Sequence, residues 1–333
     1  MKILVTGGAG FIGSNYIRYM LTKYRDIKIV NMDLLTYSGR LENLHDVMKD
    51  PRHEFIKGDI RDRKKVQEAM KEGFNVVINF AAETHVDRSI AEADSFITTD
   101  VYGTYILLEA ARNYNVEKFV QISTDEVYGS IKKGSSKETD HLDPSSPYSA
   151  SKTAADLMAL AFYKTYGLPV IITRSSNNFG PYQHLEKLIP KMTVRALHNQ
   201  PLPLYGDGQQ VRDWLYVADN CEAIDTITWK GALGEVYNIA SENEHTNIEI
   251  ATLILQNLGK SQSLITFVPD RPGHDRRYSL DTSKIKKLGW RPKHPFEDAV
   301  KKTVEWYAKN EWWWKPLLTD KFVKSDTPWA QKQ

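Results

Sequence analysis

Short apolar runs rich in β-branched residues alternate with segments of helical period through the first half of this 333-residue chain. The runs span residues 2–6, 27–33, 53–59, 75–82, 118–124 and 169–177. Strands that alternate with helices form parallel sheets, joined by right-handed crossovers. The alternation therefore predicts an α/β fold built on a doubly wound parallel sheet.

After residue 177 this regularity weakens into Pro- and Gly-rich pieces such as NNFGPYQ and QPLPLYGDGQQ. We therefore expect one domain over residues 1–177 and a smaller domain, built largely from loops, over residues 178–333. Two later segments, DWLYVADNCEAIDTIT and GEVYNIA, are expected to return to the sheet around residues 213–240. The second domain is thus predicted to be discontinuous.

Three glycines in a G-x-x-G-x-x-G spacing separate the first strand from the first helix. Gly7, Gly10 and Gly13 allow a tight turn and a close approach of the backbone to a pyrophosphate, which rests on the helix N-terminus. Asp33 ends the second strand 20 residues after Gly13, where a carboxylate can hold the adenosine ribose hydroxyls. Because a carboxylate there repels a 2′-phosphate, the sequence predicts a Rossmann-type site for NAD rather than NADP.

The segment SSPYSASKTAAD places Tyr148 and Lys152 four residues apart. On a helix this spacing puts both side chains on one face. A phenol has a pKa of about 10, but a nearby ammonium and a positive nicotinamide both favour its phenolate. We predict that Tyr148 takes the proton of a substrate hydroxyl while hydride leaves the same carbon for NAD.

The fifth strand ends in Thr124, Asp125 and Glu126, at the edge where open parallel sheets bind their ligands. A polar turn is the alternative interpretation, because such residues often close strands. Simple oxidation needs only a hydroxyl such as that of Thr124 to position the substrate. Two further carboxylates beside Tyr148 indicate an additional proton-transfer step, the elimination of water.

Several motifs together resemble one known family. The glycine spacing, closed by FIG, is similar to that of the extended short-chain dehydrogenase/reductases, in the NAD-dependent epimerase/dehydratase family. Within it, nearly the whole chain resembles the dTDP-glucose 4,6-dehydratases, through VTGGAGFIGSN, AAETHVDRSI, STDEVYG, YSASK, NNFGPYQ, EKLIP, LYGDGQQVRDWLYV and RPGHDRRYSLD. Related epimerases and decarboxylases share the glycine loop and the Tyr-Lys pair but generally lack the Asp-Glu pair. Asp100 departs from the family's usual Asn, which puts the hydrogen bonding of its helix in doubt.

The resemblance implies a lyase of deoxysugar biosynthesis that converts dTDP-glucose to dTDP-4-keto-6-deoxy-glucose and water. It implies oxidation at C4 with Tyr148 as base, removal of the C5 proton by Glu126, protonation of the departing C6 hydroxyl by Asp125, and return of hydride to C6. NAD is then regenerated in each turnover and should stay bound. The alternatives are a nucleotide-sugar 4-epimerase, a decarboxylase, a 4,6-dehydratase acting on a UDP-sugar, or a coenzyme-sensing regulator without turnover.

The same resemblance implies three sets of site residues. The catalytic residues are Thr124, Asp125, Glu126, Tyr148 and Lys152. The coenzyme contacts are Gly7, Gly10, Phe11, Ile12, Gly13, Asp33, Leu34, Thr36, Asp59, Ile60, Phe80, Ala81, Ala82, Thr99, Tyr148, Lys152 and Asn178. The substrate contacts are Thr84, Thr124, Asn177, Glu186, Lys187, Leu188, Pro203, Tyr205, Arg212, Asn247, Arg271 and His274. Arg212 is the foremost candidate for a diphosphate ligand, because a planar guanidinium binds phosphate in a bidentate manner. The alternative interpretation is a surface salt bridge between Arg212 and the neighbouring Asp213.

Composition limits the partners. With 44 basic and 42 acidic side chains, nothing in the charge balance points to nucleic acid or an anionic membrane, and no run of about 18 apolar residues could span a bilayer. The single cysteine, Cys221, suits a reducing cytoplasm.

His85 has no second His or Cys at ligand spacing, so no metal is expected. Helices around residues 94–113 and 148–166 carry surplus apolar residues, and the resemblance implies a homodimer formed through them.

Overall fold

The computed structural model describes residues 1–330. The strands of this range in the first half of the chain are β1 (Lys2–Thr6), β2 (Lys28–Asp33), β3 (His53–Lys57), β4 (Val76–Asn79), β5 (Lys118–Thr124) and β6 (Val170–Ser175). The later strands are β7 (Asn177–Phe179), β8 (Leu202–Tyr205), β9 (Val211–Tyr216), β10 (Val236–Ile239), β11 (Glu244–Thr246) and β12 (Ile265–Val268).

The α-helices of the same range up to residue 166 are α1 (Phe11–Lys23), α2 (Arg63–Met70), α3 (Val86–Ala91), α4 (Asp94–Phe96), α5 (Thr104–Asn113) and α6 (Pro147–Tyr166). A π-helical segment, Ile97–Gly103, joins α4 to α5. The later helices are α7 (Leu188–Leu197), α8 (Val217–Lys230), α9 (Asn247–Leu258), α10 (Ser283–Lys287), α11 (Phe296–Lys309), α12 (Glu311–Trp314) and α13 (Lys321–Lys324).

The central sheet has seven strands in the order β10-β6-β5-β4-β1-β2-β3. Every neighbouring pair in it is parallel. The predicted doubly wound parallel sheet is therefore confirmed. The strand order reverses direction at β1, which lies between β2 and β4, and in open sheets ligands bind at the carboxyl ends of the strands beside such a reversal.

Both faces of this sheet are covered by apolar layers. Ile3 and Val5 of β1 point into a core shared with α1 and α8, whereas Leu4 points into the opposite core, shared with α2, α5 and α6. Successive side chains of a strand alternate between faces, so a sheet covered on both sides needs unbroken apolar strands. This requirement explains why the strands read as continuous runs of Ile, Leu and Val.

The expectation that the later part of the chain is largely loops was wrong. Helices α7, α9 and α11 enclose a separate core that includes Ile189 and Ile254. Two small sheets accompany them, ordered β11-β9-β7 and β12-β8. Prolines and glycines therefore mark short connections between regular elements rather than a loop-built domain.

The two segments expected to return to the central sheet behave differently. Strand β10 pairs with β6 at the edge of the central sheet, and α8 packs on α1. Strand β9, which begins the first segment, instead pairs with β7 and β11 in the small sheet. Its pairing partners lie far along the chain or across a turn, and local sequence pattern does not encode them.

The C-terminal segment packs against the first half of the chain. Arg40 donates to the carbonyl oxygen of Trp313 over 2.9 Å, and the indole nitrogen of Trp313 donates to Asn43 Oδ1 over 2.8 Å. Trp313 is fully buried. Within residues 1–330, none of the helices is long and apolar enough to cross a membrane.

Candidate active site

The carboxyl ends of β1, β2, β4 and β5 open onto one cleft of about 1630 Å³, part of it open to solvent. All of the sequence-predicted coenzyme residues line this cleft: Gly7, Gly10, Phe11, Ile12, Gly13, Asp33, Leu34, Thr36, Asp59, Ile60, Phe80, Ala81, Ala82, Thr99, Tyr148, Lys152 and Asn178. The predicted catalytic residues Thr124, Asp125 and Glu126 line it as well. The glycine loop and the Tyr-Lys pair are thus brought to one place.

Two glycines of the loop, Gly7 and Gly13, leave no room for a Cβ atom. Gly7 has φ +71°, and a Cβ there would lie 2.5 Å from the amide nitrogen of Ala81. A Cβ on Gly13 would lie 2.5 Å from the carbonyl oxygen of Gly7. Helix α1 begins directly after Gly10, with no side chain capping its first amides. These free amides and the positive end of the helix fit a pyrophosphate.

Asp33 lies at the end of β2 and is held by the loop around it. Its Oδ2 accepts from the Ala9 amide over 2.9 Å, and its Oδ1 accepts from the Leu35 amide over 2.8 Å. Burial raises the pKa of Asp33 above its usual value, and these two hydrogen bonds oppose that rise. The carboxylate therefore lines the cleft in a fixed orientation, which fits a ribose that carries free hydroxyls.

The last residue of β5 and the two carboxylates after it form a capped turn. Thr124 ends the strand, and its hydroxyl oxygen accepts from the Glu126 amide over 3.2 Å. The same hydroxyl donates to Oδ1 of Asp125 over 3.1 Å. Asp125 is buried, and its Oδ2 has no hydrogen-bond partner within the described residues. A buried oxygen of this kind favours a protonated carboxyl group, because an unpartnered buried charge is costly.

Both carboxyl groups have raised pKa values, for partly different reasons. Burial and then the adjacent Glu126 carboxylate raise the pKa of Asp125 well above its usual value. Burial also raises the pKa of Glu126, but the cations Arg271, Arg212 and Lys187 oppose that rise. The surroundings therefore favour a proton on Asp125 and a charge on Glu126, the division that an acid and a base require.

Helix α6 positions the Tyr-Lys pair from its first two turns. It begins with Pro147 after a capping box formed by Ser146 and Ser149. The Lys152 ammonium donates to the carbonyl oxygen of Ile122 over 2.7 Å, which fixes it beside β5. Burial lowers the pKa of Lys152, and the carboxylates of Asp100 and Asp156 oppose that change.

The sequence predicts that positive charge lowers the pKa of the Tyr148 phenol, but the side chains around it do not do so. Burial raises the pKa of Tyr148 well above its usual value, and the carboxylates of Glu126 and Asp100 add to the rise. A neutral phenol is therefore the resting form. Loss of its proton requires further positive charge beside the ring, such as a cationic nicotinamide supplies.

Asp100 lies in the π-helical segment and is buried. Its Oδ1 accepts from the Glu83 amide over 2.8 Å, and its Oδ2 accepts from the Ser151 hydroxyl over 2.7 Å. Burial raises the pKa of Asp100 to about 7, against the opposing charge of Lys152. The departure from Asn therefore leaves the local hydrogen bonding satisfied while it adds a titratable group beside Lys152.

The predicted substrate residues fall into two groups. Five of them line the cleft: Thr84, Thr124, Asn177, Glu186 and Lys187. The others lie outside its lining: Leu188, Pro203, Tyr205, Arg212, Asn247, Arg271 and His274. Two of this second group still act on the cleft, because the charges of Arg212 and Arg271 oppose the rise in the pKa of Glu126.

The Arg212 side chain is buried and held by backbone carbonyl oxygens, and it does not form a surface salt bridge with Asp213. Its guanidinium donates to the carbonyl oxygens of Val211 and Asp275, over 2.8 and 3.0 Å. It also lies over the ring of Tyr278, 4.3 Å from the ring centre. The neighbouring carboxylate of Asp213 accepts from Ser241 and Ser176 instead.

Sequence reasoning missed twelve residues of the cleft lining: Met32, Ser38, Gly39, Gly58, Arg61, Glu83, Ile122, Ser123, Ser175, Ser176, Gln183 and His184. Glu83 lies inside the AAETHVD motif and could have been included on that signal. His184 and Gln183 lie in an irregular loop, where no period indicates which side chains turn inward. In the part of the chain that the structure describes, no group of three or more His, Cys, Asp or Glu side chains could hold a metal ion.

Comparisons with known proteins agree with this geometry. A family model described as GDP-mannose 4,6 dehydratase matches residues 4–303. The chain is 50% identical over 311 residues to the low-salt glycan biosynthesis protein Agl12 of Haloferax volcanii, covering 93% of this chain and 100% of that protein. It is 48% identical over 322 residues to a dTDP-glucose 4,6-dehydratase of Streptomyces niveus, covering 95% and 96% of the two chains.

A solved structure is similar over the same length. The crystal structure of DesIV, a dTDP-glucose 4,6-dehydratase from Streptomyces venezuelae with NAD and dTDP bound, superposes with a TM-score of 0.94. The two chains are 48% identical, and the match covers 95% of this chain and 100% of the other.

Proposed function

The chain belongs to the GDP-mannose 4,6-dehydratase family, and from that premise we propose that it is an NAD-dependent lyase that dehydrates dTDP-glucose at C4, C5 and C6. The observation that carries the proposal is the Asp125–Glu126 pair, which lines the same cleft as Tyr148 and whose two carboxyl groups both have raised pKa values. Oxidation or epimerisation at C4 needs only the tyrosine and a positioning hydroxyl. A second acid and a second base are needed only when water is eliminated.

The first step is oxidation at C4. Tyr148 takes the proton of the C4 hydroxyl, which Thr124 orients. When bound, NAD supplies positive charge beside the phenol and accepts the C4 hydride that later returns to C6. Gly7, Gly13 and Asp33 would hold its pyrophosphate and adenosine ribose, and Lys152 keeps its ammonium beside β5 near the tyrosine.

The second step is elimination across C5 and C6. The C4 ketone makes the C5 proton acidic, so the Glu126 carboxylate removes it. The electron pair of the broken C5–H bond forms the C5–C6 double bond as the C6 hydroxyl leaves with the proton of Asp125, giving water. Glu126 then returns its proton to C5. Over one turnover Tyr148 gains one proton, from the C4 hydroxyl, and Asp125 loses one, to the departing water. One proton must therefore pass from Tyr148 to Asp125, directly or through solvent, before the next turnover.

We also assign roles to the two parts of the chain. Residues 1–177, with the returning segments around residues 213–240, form the NAD-binding part, and residues 178–330 form the nucleotide-sugar part; the last three residues of the predicted 178–333 domain lie outside the described residues. Support comes from the guanidinium of Arg212, held by two carbonyl oxygens, and from the charges of Arg271 and Lys187 near Glu126. These three cations suit the diphosphate of a nucleotide sugar. The substrate contacts inferred from the sequence remain part of this proposal.

A homodimer and a cytoplasmic location belong to the same proposal. The π-helical segment and α6 expose large apolar side chains, with Ile97 57%, Tyr102 49% and Leu157 54% accessible. Such a patch on two neighbouring helices suits a symmetric contact with a second copy. Cys221 is buried and free, which suits a reducing compartment.

The deciding experiment is incubation of the purified protein with dTDP-glucose, followed by alkali. A 4-keto-6-deoxy sugar then develops its characteristic absorbance, which we expect to see. UDP-glucose in a parallel reaction tests the nucleobase. Formation of the C4 epimer without that absorbance would identify an epimerase, and coenzyme binding without any product would identify a regulator.

A further inference from the structure

Asp87 is a buried carboxylate that the mechanism above does not use. It is the second residue of α3, in the NAD-binding part of the chain, and it is 1% exposed. A carboxylate is seldom buried so fully unless its charge is paired. The groups that pair it come from the other part of the chain.

Two substrate candidates converge on this carboxylate. The Tyr205 hydroxyl, at the end of β8, donates to Asp87 Oδ2 over 3.0 Å. The Arg271 guanidinium, in the loop after β12, donates through Nη1 to Asp87 Oδ1 over 2.9 Å. These contacts span 118 and 184 residues of sequence. Each carboxylate oxygen thus holds one side chain, and together they fix the position of both.

The guanidinium is held in a way that leaves part of it available. Its Nε is buried without a hydrogen-bond partner within the described residues. The Arg271 charge also acts on Glu126, which indicates that the guanidinium lies near the reacting end of the cleft. Guanidinium donors in a fixed plane suit the paired oxygens of a diphosphate.

We propose that Asp87 is a positioning residue for the nucleoside diphosphate of the substrate: it holds Tyr205 and Arg271 so that the guanidinium presents its free donors to the diphosphate. The role of these two residues rests on the proposed function. Asp87 itself stays behind them and acts through them, so it sets substrate affinity rather than the chemical steps.

The test is Asp87→Asn, which keeps size but removes the charge. We expect the dTDP dissociation constant, measured by calorimetry, and the KM for dTDP-glucose to rise roughly 10-fold to 100-fold, the worth of hydrogen bonds to a charged group. The kcat and the amount of NAD released on denaturation should change little. Asp87→Glu, which restores the charge, should recover part of the affinity.

The matched control is Asp320→Asn. Asp320 also pairs with an α3 residue, accepting from Arg88 over 2.9 Å, but it contacts neither Tyr205 nor Arg271. If Asp320→Asn lowered the affinity for dTDP as much as Asp87→Asn does, the Asp87 carboxylate would only hold the two parts of the chain together. The proposal would then be overturned. Unchanged dTDP affinity in Asp87→Asn would overturn it too.

Tyr205→Phe completes the design, because it removes one hydroxyl and no charge. By itself, Tyr205→Phe should lower the affinity for dTDP several-fold without loss of NAD. When it is combined with Asp87→Asn, the further loss of dTDP affinity should be smaller than the loss that Tyr205→Phe causes in the parent protein. Fully additive effects of the two substitutions on the dTDP dissociation constant would contradict the proposal. If Asp87→Asn does not fold, an unchanged dTDP dissociation constant in Tyr205→Phe would contradict it instead. A parent protein that binds dTDP in this Asp87-dependent way but never converts dTDP-glucose would refute the proposed function and leave the positioning role standing.

Discussion

The hydroxyl of Thr124 donates to Oδ1 of Asp125 over 3.1 Å, while the other oxygen of that carboxyl group is buried without a partner in the described structure. One hydroxyl therefore fixes the orientation of the proposed acid. The free oxygen is the one that can carry a proton toward the substrate. The pair after β5 is thus a positioned acid beside a base, and its two members can be removed separately.

Asp125→Asn and Glu126→Gln should stay folded, keep NAD and lose turnover by roughly 10²-fold to 10⁴-fold, the usual worth of a positioned acid or base. Both should still oxidise C4, visible as absorbance of reduced nicotinamide on rapid mixing. Solvent deuterium exchange at C5 separates them, since loss of the base should suppress exchange more than loss of the acid. If both variants formed product at the parent rate, Asp125 and Glu126 would have no catalytic role and would be only a polar turn.

Tyr148→Phe should block the first hydride transfer itself, because it removes the base for the C4 hydroxyl while keeping the ring that packs on Phe96. Rapid mixing with dTDP-glucose should show little reduced nicotinamide. Tyr102→Phe, on an exposed ring outside the cleft, serves as the control and should behave as the parent. Normal C4 oxidation in Tyr148→Phe would assign the base to another group.

The purified protein should carry NAD without added coenzyme, because a hydride that returns within each turnover leaves nothing to exchange. Gly13→Ala should lose it, since the new Cβ would lie 2.5 Å from the Gly7 carbonyl oxygen and push apart the loop that holds the pyrophosphate. Nucleotide released from denatured protein is the measurement. Activity that depends wholly on added NADP would contradict both the closed cycle and the role of Asp33.

Asp100→Asn should alter the dependence of stability on pH. The folded-state pKa of Asp100 is raised to about 7 from 3.8, so the folded chain holds a proton that the unfolded chain releases. Stability is therefore lost as pH rises between these values and stays lower above them. In urea unfolding at pH 8 the variant should be more stable, by at most about 4 kcal/mol, and near pH 4 the two should converge.

Asp156→Asn provides the contrast for that experiment. Asp156 is equally buried but is paired with Arg174 over 2.9 Å, so its loss leaves a buried cation without its partner. We expect this variant to be less stable than the parent. A stabilised Asp156→Asn, or an Asp100→Asn without any change in pH dependence, would show that burial does not set the cost of these carboxylates.

Leu157→Asp should convert a dimer to a monomer, because it places a charge in the exposed apolar patch that α6 and the π-helical segment share. Light scattering at micromolar concentration measures the mass. Phe267→Asp, on the equally exposed β12, is the control and should leave the mass unchanged. A parent protein of monomeric mass would rule out the homodimer.

The sequence alone determined the features that depend on short spacings. The glycine loop lies between a strand and the helix that must follow it, and Asp33 ends the next strand, so local order sufficed to place both. Tyr148 and Lys152 share one helix face because four residues make about one turn. The Thr-Asp-Glu turn follows a buried strand directly, and the rule for parallel sheets brought it to the same edge.

Only the tertiary structure decided which distant groups meet. Strand β9 leaves the central sheet for β7 and β11, against the expectation from its sequence. The carboxylate of Asp87 meets Tyr205 and Arg271 across the two parts of the chain, and Asp100 meets Ser151. Periodicity records which face of an element is buried, but not which element covers it. Contacts over such separations are chosen by the packing of the whole chain, and the pKa values of the buried carboxyl groups follow from that packing.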